Sequence, residues 1–158
     1  MDSTKLSIKS PLIWSVCVLA LLTACLQGTE YPPEPEIKYL SYTKTDSVNL
    51  LGQNKPFVVI TFEFTDGDGD IGEVQNDTTK NMFLAEFGIL NGVRQTPVNL
   101  PYTIPFVTPS GQNKSLKGEI DVDIHLLTFP YDSVIYEIYI VDRGGNQSNI
   151  ITTPIIPL

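Results

Sequence analysis

Beyond Ile37, hydrophobic and polar residues take turns with a period of two over most of the chain. Phe57 to Thr65 (FVVITFEFT) sets Val58, Ile60, Phe62 and Phe64 on one face and Val59, Thr61, Glu63 and Thr65 on the other. These β-branched and aromatic types suit a pleated, half-buried surface. Glu119 to Leu126 alternates more cleanly, with Ile120, Val122, Ile124 and Leu126 toward a core and Glu119, Asp121, Asp123 and His125 toward water. A helix cannot use that period. Val134 to Asp142 (VIYEIYIVD) is a third strong run, and weaker ones are Ile37 to Thr43, Met82 to Leu90, Val93 to Leu100, Tyr102 to Val107 and Asn149 to Ile156. No stretch beyond about two turns carries helical periodicity with caps. Asn91-Gly92 lies between two of the runs and supplies the positive φ angles of a tight hairpin turn. Seven or eight short strands punctuated by Gly, Pro and Asn predict an all-β fold, an antiparallel β-sandwich.

The N-terminal part departs from this pattern. Met1 to Ser10 carries Lys5 and Lys9, and the 14 residues Pro11 to Ala24 (PLIWSVCVLALLTA) carry no charge. That run falls short of the roughly 20 residues a helix needs to cross a bilayer and suits the apolar part of a signal peptide. It ends in Leu22-Thr23-Ala24-Cys25, which resembles the bacterial lipobox. The resemblance implies cleavage before Cys25 and an N-terminal diacylglycerol or acyl lipid, such as palmitate, on Cys25. The alternative is an ordinary secreted protein cut near Ala24. Cys17 would leave with the signal segment, so the mature chain would hold one Cys and no disulfide. Gln27 to Glu36 (QGTEYPPEPE) reads as an extended tether. The expected organisation is a signal peptide at 1–24, lipidated Cys and Pro/Glu-rich tether at 25–36, and the sandwich at 37–158. No Asp follows Cys25 directly, which favours the outer membrane of the cell envelope as the destination and leaves the leaflet open.

Charge narrows the partners. The 158 residues hold 10 Lys plus Arg against 18 Asp plus Glu, for a net charge of -8 and a pI near 4.4. Such a surface does not grip phosphate backbones, so nucleic acid is excluded as a partner. Membrane attachment must come from the lipid anchor, since an acidic domain is repelled by anionic head groups. One His and two Cys leave little for a transition-metal site or a thiol nucleophile. His125 is flanked on its strand by Asp121 and Asp123, but the chain has no Gly-x-Ser-x-Gly elbow, and the expectation is a protein that is not an enzyme.

The chemically suggestive stretch is Phe64-Thr65-Asp66-Gly67-Asp68-Gly69-Asp70-Ile71-Gly72. Three carboxylates alternating with glycines can converge on a hard cation that takes six to eight oxygen ligands, and Ca²⁺ is the ion of choice. In the spacing of an EF-hand loop, Asp66, Asp68 and Asp70 fill the first three ligand positions and Asp77 the last. Ile71 stands where that loop needs Gly and no helix flanks it, so only the carboxylate spacing is shared. A solvated acidic loop is the competing reading.

Two further stretches point to the kind of sandwich. Asp132 to Ile138 (DSVIYEI) resembles the tyrosine corner of immunoglobulin-type domains, with Ile138 where antibody domains carry their second Cys. Asp142 to Asn149 (DRGGNQSN) resembles the D-x-x-G-N-x-S-N turn before the last strand of bacterial Ig-like domains. Together with the lipobox and the DGDGDIG loop, these resemble small Bacteroidota lipoproteins with an Ig-like β-sandwich. In an Ig strand order, the loops after Thr65 and after Val141 share one pole, which brings Asp142 and Asn146 toward Asp66, Asp68 and Asp70. Asp142 and Asn146 can equally cap their own turn. The expected function is a non-catalytic, lipid-anchored interaction or structural module with an Asp-rich pole, its partner an envelope protein. The alternative is a lipoprotein that captures a glycan or peptide.

Overall fold

The computed structural model describes residues 30–48, 54–74, 77–107, 114–126 and 130–158. The expected signal peptide, Cys25 and the first part of the expected tether lie outside them. The described residues hold nine strands: β1 Glu36–Val48, β2 Asn54–Asp66, β3 Met82–Leu90, β4 Val93–Arg94, β5 Val98–Tyr102, β6 Leu116–His125, β7 Ser133–Ile140, β8 Ile151–Thr152 and β9 Ile156–Pro157. They form two antiparallel sheets, and no helix occurs among the described residues. One sheet runs β1-β2-β6; the other runs β4-β3-β7-β8, with β5 also on β3 and β9 also on β7. In the immunoglobulin order, β1, β2 and β6 stand for strands A, B and E, and β5, β3, β7 and β8–β9 for C′, C, F and G. No described strand stands in the place of D.

The alternation along β2 works out as its residues dictate. Val58, Ile60, Phe62 and Phe64 are buried, and they face Leu84, Val134, Tyr136, Ile138 and Ile140 of the second sheet across the core. Each fully buried side chain of this size contributes about 1.5–3 kcal/mol relative to an exposed one. In β1 a bulge between Tyr39 and Ser41 changes the parity, so Ile37, Tyr39 and Tyr42 all turn inward and Leu40 is left outside. That irregularity is why the segment looks weak as a period-two pattern.

Three weaker runs are cut shorter or redirected. Val93 to Leu100 is not one strand: β4 closes the Asn91-Gly92 hairpin, and β5 re-pairs with β3 after Pro97, which has no amide to give the ladder. Beyond Tyr102 the chain leaves the β3 ladder and crosses the pole, held by the Ile104 amide donating to Asn81 Oδ1 at 2.6 Å, by Thr103 Oγ1 donating to Thr79 O at 3.0 Å, and by a parallel bridge between Pro105 and Glu73. Asn149 to Ile156 is split at Thr153-Pro154. There the buried Thr153 takes over the ladder, its N–H donating to Tyr136 O and its Oγ1 accepting from Tyr136 N, both at 3.0 Å.

Tyr136 departs from the tyrosine-corner expectation. It is fully buried in the middle of β7, and its hydroxyl donates to Glu86 Oε2 of β3 at 2.7 Å. Burial and the neighbouring Glu86 push its ionisation far above the ordinary tyrosine range, so it is a neutral donor at every accessible pH.

Candidate metal centre

Two strands carry their inward parity one step past their last hydrophobic residue. On β2, Phe62 and Phe64 are followed on the same face by Asp66, which is fully buried; after β7, Ile138 and Ile140 are followed by Asp142, only 4% exposed. Both carboxylates therefore cap the core at one pole. The loop between them supplies the third, Asp70. Ligand oxygens of Asp66, Asp70 and Asp142 lie within 4.8 Å of one another.

The local hydrogen bonds explain how the cluster is held. Asp66 Oδ2 accepts from the Asp70 amide at 2.9 Å, closing the DGDGD stretch on itself. Asp142 accepts from Asn146 twice, Oδ1 from the backbone N–H at 2.7 Å and Oδ2 from Nδ2 at 2.9 Å. The Arg143 amide donates to Asp70 O at 3.2 Å and ties the two loops together. Its guanidinium reaches across to Gly72 O at 2.5 Å and Ile71 O at 3.3 Å. The positive charge of Arg143 is thus committed to backbone carbonyls.

What remains is an electrostatic imbalance. Asp66 Oδ1 and Asp70 Oδ1 are both buried without a hydrogen-bond partner. Burial, then repulsion from Asp142, Asp68 and Asp66, pushes Asp70 up to about 6. Asp66 is raised as well, by burial first, with Asp68 and Asp142 adding to it and the amides of Asp70 and Gly69 opposing it. Buried oxygens without donors are costly, and a proton or a cation relieves the cost. The three carboxylates could hold a metal ion here.

The six candidate residues divide clearly. Asp66, Asp70 and Asp142 come together; Asn146 buttresses Asp142; Asp68 is exposed and acts through its charge on Asp66 and Asp70. Asp77 takes a different role. It is exposed, its Oδ1 accepts from the amide and hydroxyl of Thr79 at 2.8 and 2.7 Å, and these bonds hold its carboxyl below the usual range. The cluster closes through Asp142, just beyond the end of β7, so the EF-hand spacing that brought in Asp77 does not apply. His125 is exposed at the end of β6, its ring 6.0 Å from that of Phe57.

Glu86 and Arg143 were not singled out by the sequence. Glu86 was signalled, however, because it sits on the inward parity of Met82 and Leu84, where a carboxylate needs a buried partner.

No family model matches the chain, and neither does any curated protein or solved structure. Fold and pole define its class by themselves: an all-β sandwich with an acidic triad sealing one end of the core.

Proposed function

We propose that the protein is a non-catalytic, lipid-anchored module of the cell envelope, held at the outer membrane through Cys25, whose acidic pole binds Ca²⁺. The carrying observation is the pair of buried, unpartnered oxygens, Asp66 Oδ1 and Asp70 Oδ1, beside Asp142. Ca²⁺ suits them because it is a hard ion that accepts irregular all-oxygen shells. The N-terminal segment adds a reason for the site's position. Glu36 pairs with Thr65, and the Tyr31 and Pro32 carbonyls press on Gly67, where a Cβ would come within 2.2 and 2.6 Å of their oxygens. The chain therefore enters the sandwich beside the acidic loop. An anchor at Cys25 would hold that pole toward the membrane, where a divalent cation also offsets repulsion from anionic head groups.

Titration calorimetry with CaCl2, and with MgCl2 for comparison, tests the ion. Saturable Ca²⁺ binding that is lost in Asp142→Asn is expected; heats indistinguishable from those of the variant would overturn the metal reading. Metabolic labelling with a fatty-acid analogue tests the anchor, with label expected on the natural chain and absent from Cys25→Ala.

A further inference from the structure

The first sheet ends on β6, which pairs with β2 along one edge and with no described strand along the other. In an antiparallel strand, alternate residues turn their N–H and C=O away from the partner. Among the described residues nothing pairs with the outer edge of β6, which presents a row of backbone donors and acceptors that a further strand can use.

The side chains beside that edge carry the same message. A groove of about 590 Å³ runs along Leu116 to Asp123 and opens into the space between the sheets. Its floor is apolar, formed by Phe64, Met82, Ile104, Leu116 and Ile120. Val58, Ile60, Phe62 and Phe64 of β2 are buried, whereas Leu116 and Ile120, which also face inward, are only half-buried. Val107, 38% exposed, stands at the groove's mouth. This is the place strand D fills in an immunoglobulin sandwich.

Charge specifies the occupant. Glu119, Asp121 and Asp123 project outward from β6 along the groove, and the one Lys among them, Lys117, is held by Glu63 at 2.9 Å. On an added strand, the side chains next to these acids share their face, and opposite charges there stabilise the pairing. Inward positions would meet the apolar floor. We propose that the outer edge of β6 accepts an extended segment of a partner protein as an added strand, with apolar side chains inward and Lys or Arg outward. Backbone pairing supplies affinity, and the apolar floor with its acidic rim supplies selectivity. A segment of about eight residues matches the groove-lining part of β6.

The test uses the whole chain in zwitterionic detergent and three synthetic peptides of that length, read by fluorescence anisotropy. One alternates Val and Lys, a second alternates Val and Glu, and the third is the Val–Lys peptide with alternate backbone nitrogens methylated. The Val–Lys peptide is expected to bind saturably at one per chain, at least about tenfold tighter than either other peptide. The variant Glu119→Lys/Asp121→Lys/Asp123→Lys, altered only at exposed positions, is expected to prefer the Val–Glu peptide. Equal binding of the methylated peptide would reduce the interaction to charge alone and overturn strand addition. Absence of binding would overturn the site, as would sedimentation of the chain as a dimer that Ile120→Lys dissociates, because a second copy would then occupy the edge.

Discussion

Asp70 gives the acidic pole a pH dependence of definite sign. Burial, followed by repulsion from Asp142, Asp68 and Asp66, lifts its carboxyl from 3.8 to about 6 in the folded protein. Across that window the native state keeps a proton that the unfolded chain has already lost. Stability therefore falls as pH rises from about 4 to about 6, and levels off above. Asp66, raised by burial, pushes the same way, while Asp77, lowered by Thr79, acts below the ordinary carboxylate value and outside the window. The full shift on Asp70 corresponds to about 3 kcal/mol at about 1.4 kcal/mol per tenfold change. Because Asp70 is only part-buried, solvent screening reduces this to about 1–2 kcal/mol. In a domain of this size that amounts to a melting temperature lower by about 3–8 °C near neutral pH than near pH 4. Calorimetric melts of the natural chain and Asp70→Asn, in chelator and then in about 5 mM CaCl2, measure it. Subtracting the variant removes the general self-repulsion of an acidic protein. With chelator, the natural chain should lose this stability relative to the variant between pH 4 and 6. With Ca²⁺ the loss should vanish, because the cation stabilises the form that has lost its proton. Parallel pH profiles for the two chains in chelator would refute the electrostatic reasoning, and a Ca²⁺ effect of equal size at pH 4 and pH 7 would refute the ion's place in the triad.

Three further outcomes follow from single contacts. Tyr136→Phe strips the buried Glu86 of its donor and should cost about 1–3 kcal/mol in urea unfolding, most of it recovered in Tyr136→Phe/Glu86→Leu; equal losses in the single and double variants would contradict the pairing. Gly67→Ala puts a Cβ against the backbone of Tyr31 and Pro32, so cleavage after Glu30 by a Glu-specific protease should accelerate with the core intact; an unchanged rate would mean the segment does not rest on this loop. Gly92→Ala meets nothing within 4 Å, so its cost is the left-handed backbone at φ 76° alone, about 1–2 kcal/mol by thermal melt, and a neutral result would remove the hairpin's conformational demand.

The long strands were legible because their faces differ in kind. Along β2 and β6 one face is apolar and the other polar, and a slip of one residue would exchange them, so the pattern admits one register. The register followed, with Val58 opposite Ile124 and Ile60 opposite Val122. β3 and β7 were harder to divide, since Phe83, Phe87, Ile135 and Tyr139 make their outward faces apolar too, and Phe83 stacks on Tyr139 with ring centroids 5.0 Å apart. The bounds of the short strands β4, β8 and β9, which fall in the runs Val93 to Leu100 and Asn149 to Ile156, were illegible for another reason. Two residues hold no period, and what fixes them is contact with β3 or β7, which are distant in sequence.

The acidic pole was only half legible for a related reason. Spacing along the loop gathers Asp66, Asp68, Asp70 and Asp77 equally, and it has no means of telling an inward carboxylate from an outward one. Parity does. Asp66 continues the buried face of Phe62 and Phe64, Asp142 that of Ile138 and Ile140, whereas Asp68 lies beyond the end of β2, where parity no longer applies. A carboxylate on the core-facing parity of a strand end must be buried, and a buried carboxylate must find a donor, a proton or a cation. Two such strand ends meet at one pole beside Arg143, whose guanidinium faces carbonyls. Among the described residues no ion pair reaches the triad, so its compensating charge is a proton at low pH or, in the function proposed above, Ca²⁺.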